Sequence, residues 1–148
     1  CSIGAWSFLM AEQGHIVIGI DPCQIALRQA ILGKPRGDPR DHCTFLIGLA
    51  EMLPFGSGAF DGLVANALVE HLFDYGLFLT EAFRVLRSSG RLFIGGFPEG
   101  NNNYEMGHTR PMLKTKLRAD LEAVGFEASV VPSYSSGGEH NDFVCTKS

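Results

Sequence analysis

The 148 residues suit one domain with a proper core, and 45% hydrophobic against 19% charged residues is ordinary for a globular protein. A net charge of −4 leaves no basic footprint for a nucleic-acid backbone. No stretch approaches the roughly 18 apolar residues of a membrane span, and nothing resembles a cleavable signal, so the expected place is the cytoplasm. Cys1, Cys23, Cys43 and Cys145 form no C-x-x-C pair, which gives no metal or redox-dithiol site and suggests a reducing compartment.

The elements follow from periodicity and punctuation. Ala5 to Gln13 reads as a helix, with Phe8 and Leu9 inward and Gly14 as the stop. His15 to Ile20 is a β-branched run with no polar face, the pattern of a parallel strand buried on both sides. Asp21 and Pro22 supply an N-cap and a first-turn proline for a helix from Cys23 to Ile31. Gly33 to Arg40 is a polar loop, and Cys43 to Ile47 and Asp61 to Ala67 are the next strands. Between Asp74 and Arg87, Phe78, Ala82, Val85 and Leu86 share a helical stripe that Ser88-Ser89-Gly90 ends.

Arg91 to Phe97 is a further strand, and Gly100 to Arg110 a polar loop without a period. Pro111 opens a helix with Leu113, Leu117, Leu121 and Val124 on one face, closed by Gly125. Two strand-like runs, Phe126 to Val131 and Asp142 to Thr146, finish the pattern. Strands alternating with helices imply an α/β, doubly wound, mostly parallel sheet. Two consecutive strands without a helix between them form a hairpin, so the last strand is antiparallel.

Ligands in such sheets sit at the carboxyl ends of the strands. Four stretches therefore stand out: Cys1-Ser2-Ile3-Gly4, Asp21, Leu49-Ala50-Glu51, and Asn66 to His71. Gly4 lets backbone approach a ligand at a helix start, or is only a tight turn. Asp21 is placed to accept from two ribose hydroxyls, or is only a cap. Glu70 and His71 open a helix, where an acid is ordinary and a histidine often bonds backbone.

The combination of C-S-I-G, a G-H at Gly14, V-I-G-I-D, L-A-E-M-L-P-F, F-D-G-L-V-A-N-A-L-V-E-H-L and E-A-F-R-V-L-R-S-S-G-R-L-F-I resembles the class I S-adenosylmethionine-dependent methyltransferases, especially the small-molecule branch. The likeness is close over Cys1 to Gly96 and looser over Thr109 to Lys147. It implies a Rossmann-like, seven-stranded sheet ordered 3-2-1-4-5-7-6, its seventh strand antiparallel, in a single domain over residues 1–148. Ser2 and Gly4 match the middle and last glycines of the family's glycine loop. The first glycine and the first, central strand are expected to precede Cys1, leaving a gap between HIVIGI and DGLVANA.

The resemblance further implies that Cys1, Ser2, Gly4, Asp21, Pro22, Leu49, Ala50, Glu51, Asn66, Ala67 and Leu68 bind S-adenosylmethionine. Asp21 would take the ribose, Leu49 to Glu51 the adenine, and Asn66 to Leu68 the methionine part. Leu49 departs from the family, replacing the carboxylate that usually accepts from the adenine amino group. Methyl transfer from a sulfonium needs alignment first, and a base where the acceptor must lose a proton. His71 and His108 are the candidate bases, with Tyr104 and Arg110 in the same loop as His108; each also has an ordinary packing or capping role. Trp6 and Phe55 lie near the cofactor or in the core.

The expected activity is methyl transfer to an oxygen, nitrogen or carbon of a small-molecule acceptor, with no metal, no nucleic-acid partner and an open oligomeric state. The alternative is a non-catalytic module of the same fold that binds cofactor or a partner. A nicotinamide-dependent reductase is disfavoured, since neither G-x-G-x-x-G spacing nor a Tyr-x-x-x-Lys motif is present.

Overall fold

In a computed structural model of the chain, residues 1–33, 39–96, 113–135 and 138–148 are described. They form two compact units, Cys1–Leu53 and Pro54–Ser148.

The first unit carries α1 (Ala5–Glu12), β1 (Val17–Asp21), α2 (Gln24–Leu32), a short 3-10 turn (Pro39–His42) and β2 (Cys43–Ile47). β1 and β2 are parallel, in register from Val17↔Cys43 to Asp21↔Ile47. Ala11, Val17 and Cys43 make the buried centre, with Phe8, Met10 and Phe45 packed against it. Phe8 meets Phe45 edge to face at 5.7 Å, and the Cys43 thiol donates to Ser7 O at 3.2 Å. Gly14, at φ 88, stops α1 as predicted.

Three expectations fail in this unit. Leu9 is 50% exposed, because Ser7 and Ala11 hold the inward face of α1, and Trp6 is exposed too. The run ending in β1 is not buried on both sides: Val17 is covered while Ile16 and Ile18 are exposed. The cap of α2 is Cys23 and its helix starts at Gln24. Asp21 instead closes the turn before it, Oδ1 accepting the Cys23 N–H at 2.9 Å.

The second unit carries β3 (Phe60–Asn66), α3 (Tyr75–Val85), β4 (Leu86–Gly95), α4 (Lys114–Val124), β5 (Phe126–Ser135) and β6 (Gly138–Lys147). Its sheet is ordered β3-β4-β6-β5, with β3 and β4 parallel and β6 antiparallel to both β4 and β5. The hairpin read from the sequence is therefore present. The orders within the two sheets are those of the 3-2 and 4-5-7-6 parts of the implied sheet. Phe78, Ala82, Val85 and Leu86 are all buried, as their stripe predicts. They pack a core with Leu92, Ile94, Leu117, Leu121, Phe143 and Cys145, where each large side chain removed from water contributes about 1.5–3 kcal/mol.

Asp74 caps α3, its Oδ1 accepting the N–H of Gly76 at 2.9 Å and of Leu77 at 3.3 Å. The expected break at Ser88-Ser89-Gly90 lies inside β4 rather than before it. Leu86 already pairs with Phe60, the next pair is Gly62↔Arg91, and Ser89 at φ 63 takes up the surplus residues as a bulge. Leu113, expected on the buried face of the following helix, is its exposed N-cap.

Candidate functional site

In the first unit the glycine turn, Asp21 and the segment after β2 meet at the carboxyl end of the two-stranded sheet. The parallel register brings this about, since Asp21 and Ile47 are the last pair and Gly48 N–H donates to Asp21 O at 3.4 Å. Asp21 Oδ2 accepts the Ser2 N–H at 2.7 Å, and the Cys1 nitrogen donates to Oδ2 and to Ile20 O at 3.0 Å each. Burial pushes the Asp21 carboxyl up in pKa. The hydrogen bonds it accepts, those from the Ser2 and Cys23 N–H groups first, outweigh it and hold the carboxyl below its ordinary value.

Backbone is drawn tightly together here. Ser2 has φ 52 and Gly4, the N-cap of α1, φ 85. A Cβ on Gly4 would stand 2.9 Å from the Phe45 ring, and one on Gly19 would stand 2.7 Å from it and 3.0 Å from Cys1 Sγ. Gly19 was not singled out by the sequence, where it reads as one more strand residue. Past β2, Leu49 and Met52 form an isolated bridge and are 50% and 71% exposed, while Ala50 and Glu51 are half-buried. Pro22 is exposed beside Asp21.

In the second unit Asn66 ends β3 opposite Gly95 of β4. Ala67 turns out of the strand at φ 48, its N–H donating to Gly95 O at 2.7 Å. Leu68 follows half-buried, and Leu68 O accepts the His71 N–H at 2.9 Å. Glu70 is buried and His71 exposed, and both lie in a turn ahead of α3 rather than at a helix start. Phe55 packs edge to face on Phe60, with ring centroids 4.7 Å apart. His108, Tyr104 and Arg110 lie outside the described residues.

Asp142 is the residue that sequence reasoning missed. It opens an apolar strand run and is buried, with Oδ1 accepting the Gly96 N–H at 3.2 Å. The available signals were an acid heading a buried run and a Gly-Gly pair closing β4. Among the described residues, no group of three or more His, Cys, Asp or Glu could hold a metal. Nor is any described helix long and apolar enough to cross a membrane.

Residues 1–94 match the protein family described as the methyltransferase domain. The chain belongs to that family, and its fold class is that of the class I S-adenosylmethionine-dependent methyltransferases. Among curated proteins it is 32% identical over 133 residues to a probable S-adenosylmethionine-dependent methyltransferase of Mycolicibacterium smegmatis, covering 86% of this chain and 49% of that protein. It is 34% identical over 95 residues to the demethylmenaquinone methyltransferase of Lactococcus lactis, covering 62% and 37%. The human mitochondrial ubiquinone biosynthesis O-methyltransferase is 31% identical over 110 residues, covering 72% and 30%. The chain thus spans about half or less of the length of these relatives.

A crystal structure of an S-adenosylmethionine-dependent methyltransferase from Methanosarcina mazei superposes with a TM-score of 0.77 at 22% identity, covering 99% of this chain and 89% of that one. A [4+2]-cyclase shares the fold with a TM-score of 0.76 at 24% identity, covering 89% and 52%.

Proposed function

We propose that the chain is a single methyltransferase domain, both units included, which transfers the methyl group of S-adenosylmethionine to an oxygen, nitrogen or carbon of a small-molecule acceptor. The family match running from residue 1 to 94, across both units, supports the single domain. The observation that carries the reading is Asp21. Its carboxylate stands at the end of β1 beside a turn of left-handed backbone, held ionised by neighbouring N–H groups. An ionised carboxylate offers about four acceptor positions; the Ser2 and Cys1 nitrogens take both on Oδ2 and Cys23 N–H one on Oδ1, which leaves a position on Oδ1 for a ribose hydroxyl. Leu49 and Met52, apolar and exposed in the same unit, suit the face of an adenine ring. These residues fit the adenosine part of the cofactor, with Cys1, Ser2, Gly4, Pro22, Ala50 and Glu51 as the backbone around it.

Asn66, Ala67 and Leu68 are assigned to the methionine part. When bound, the cofactor supplies a methyl group already activated on a sulfonium. What remains for the chain is to hold the acceptor in line, to exclude water and to remove the acceptor's proton where one must leave. His71, exposed after the Leu68 turn, and His108 are the candidate proton acceptors. The demethylmenaquinone and ubiquinone-biosynthesis methyltransferases among the relatives, each more than 30% identical, support a small-molecule acceptor.

Leu49, where the family usually has a carboxylate, and the [4+2]-cyclase of the same fold favour a second reading, a cofactor-binding module that does not transfer methyl. Titration calorimetry with S-adenosylmethionine and S-adenosylhomocysteine on the protein at its natural length tests both, followed by transfer of labelled methyl to pooled small metabolites. Binding with transfer is expected. Binding without transfer to any acceptor selects the second reading, and absence of binding refutes both.

A further inference from the structure

At the carboxyl ends of β3 and β4 a buried carboxylate arrives from a strand to which neither the glycine turn nor the candidate bases belong. Asp142 on β6 is 8% exposed, and its Oδ1 accepts the Gly96 N–H at 3.2 Å. The residue before Gly96 is shaped around it: a Cβ on Gly95 would lie 2.8 Å from Asp142 Cγ and Oδ1 and 2.6 Å from Phe93 Cζ. The carboxylate therefore lies directly on the backbone where β4 ends.

From there the contact passes to β3. Gly95 O accepts the Ala67 N–H at 2.7 Å, and a Cβ on Gly96 would meet Asn66 Oδ1 at 2.9 Å and Ala67 N at 3.1 Å. Both strands leave the sheet in left-handed backbone, Ala67 at φ 48 and Gly96 at φ 76. For alanine that conformation costs about 1–2 kcal/mol and persists only where the surroundings enforce it. A carboxylate withdrawn from water is itself unfavourable unless paired.

We propose that Asp142 is a positioning residue. Through Gly96 and Gly95 it holds the left-handed turn at Ala67, and so the backbone assigned above to the methionine part of the cofactor, without touching the cofactor itself. The inference rests on the proposed function, which assigns Asn66 to Leu68 to that part.

The test compares the wild type with Asp142→Asn, Asp142→Ala and Gly95→Ala, each at natural length, by calorimetry with S-adenosylhomocysteine well below every variant's melting temperature. Asp142→Ala should bind about tenfold more weakly, the loss expected when one backbone N–H loses a charged acceptor. Asp142→Asn, whose amide oxygen can still accept from Gly96, should bind within about twofold of wild type. Gly95→Ala keeps the carboxylate but drives a methyl group into it, and should weaken binding by a similar factor of about ten. Hydrogen exchange at the Ala67 amide should quicken in Asp142→Ala and Gly95→Ala, but not in Asp142→Asn. A lower melting temperature in Asp142→Ala with unchanged affinity and exchange would reduce Asp142 to a structural role and overturn the proposal. Should Asp142→Ala not fold, unchanged affinity in Gly95→Ala overturns it equally. A wild type that does not bind refutes the functional reading and the inference together, whereas a binding wild type with indifferent variants refutes the inference alone.

Discussion

Removing the Asp21 side chain tests the turn and the cofactor site at once. In Asp21→Ala the N–H groups of Ser2 and Cys23 lose acceptors at 2.7 and 2.9 Å. A fully buried charge-assisted bond contributes roughly 1.5–3 kcal/mol; the Asp21 side chain is 18% exposed, so water replaces part of each, and the loss should total about 2–3 kcal/mol. Urea unfolding followed by circular dichroism reads this directly. The effect has a defined pH window. The folded carboxyl titrates below the ordinary 3.8, so its contribution is complete above that value and disappears as the pH falls through the folded pKa. The gap between wild type and variant should therefore be constant near neutrality and close in strong acid. A lost ribose bond should also weaken S-adenosylhomocysteine by about tenfold. A variant that unfolds at the wild-type urea midpoint at every pH, with undiminished affinity, would refute the role given to Asp21.

Three further outcomes are expected. Lys147→Met removes an ammonium that donates to Phe83 O at 2.7 Å and Leu86 O at 2.8 Å and lies 4.4 Å from the Phe83 ring centroid, and should cost about 2–3 kcal/mol in the same unfolding assay. With an aromatic disulfide reagent at pH 8, the exposed Cys1 and Cys23 should react rapidly, and buried Cys43 and Cys145 only on unfolding; burial pushes the Cys145 thiol up to about 12. Leu49→Asp returns the carboxylate usual in the family and should tighten cofactor binding about three- to tenfold by calorimetry, while weaker binding would move the adenine away from Leu49.

Much of the architecture is legible in the sequence because it depends on local patterns. Cys43–Ile47 appears with the boundaries that its β-branched and aromatic run implies, and the α3 stripe is buried as its period requires. Other features depend on partners far along the chain. Leu9 cannot be told from Phe8 by period alone, and only the packing of Phe45 against Phe8 decides which faces the sheet. Ser88-Ser89-Gly90 has the composition of a stop, yet pairing of Leu86 with Phe60 on one side and Arg91 with Gly62 on the other turns it into a bulge within a strand. For the site, Asp21 was legible because its strand, turn and proline are contiguous. Asp142 was not, because its partners, Gly95 and Gly96, are 46 or more residues earlier.

The position of β6 between β4 and β5 bears on how the second unit is made. It follows β3, β4 and β5 in the chain, yet it supplies the hydrogen bonds to both neighbours, from Arg91↔Thr146 on one side to Phe126↔Lys147 on the other. Until it emerges from the ribosome, β4 and β5 each present an unpaired edge, open to another chain. The sheet therefore closes only once β6 has been made. A nascent chain stalled before Gly138 should remain protease-sensitive and should be the species on which chaperones act.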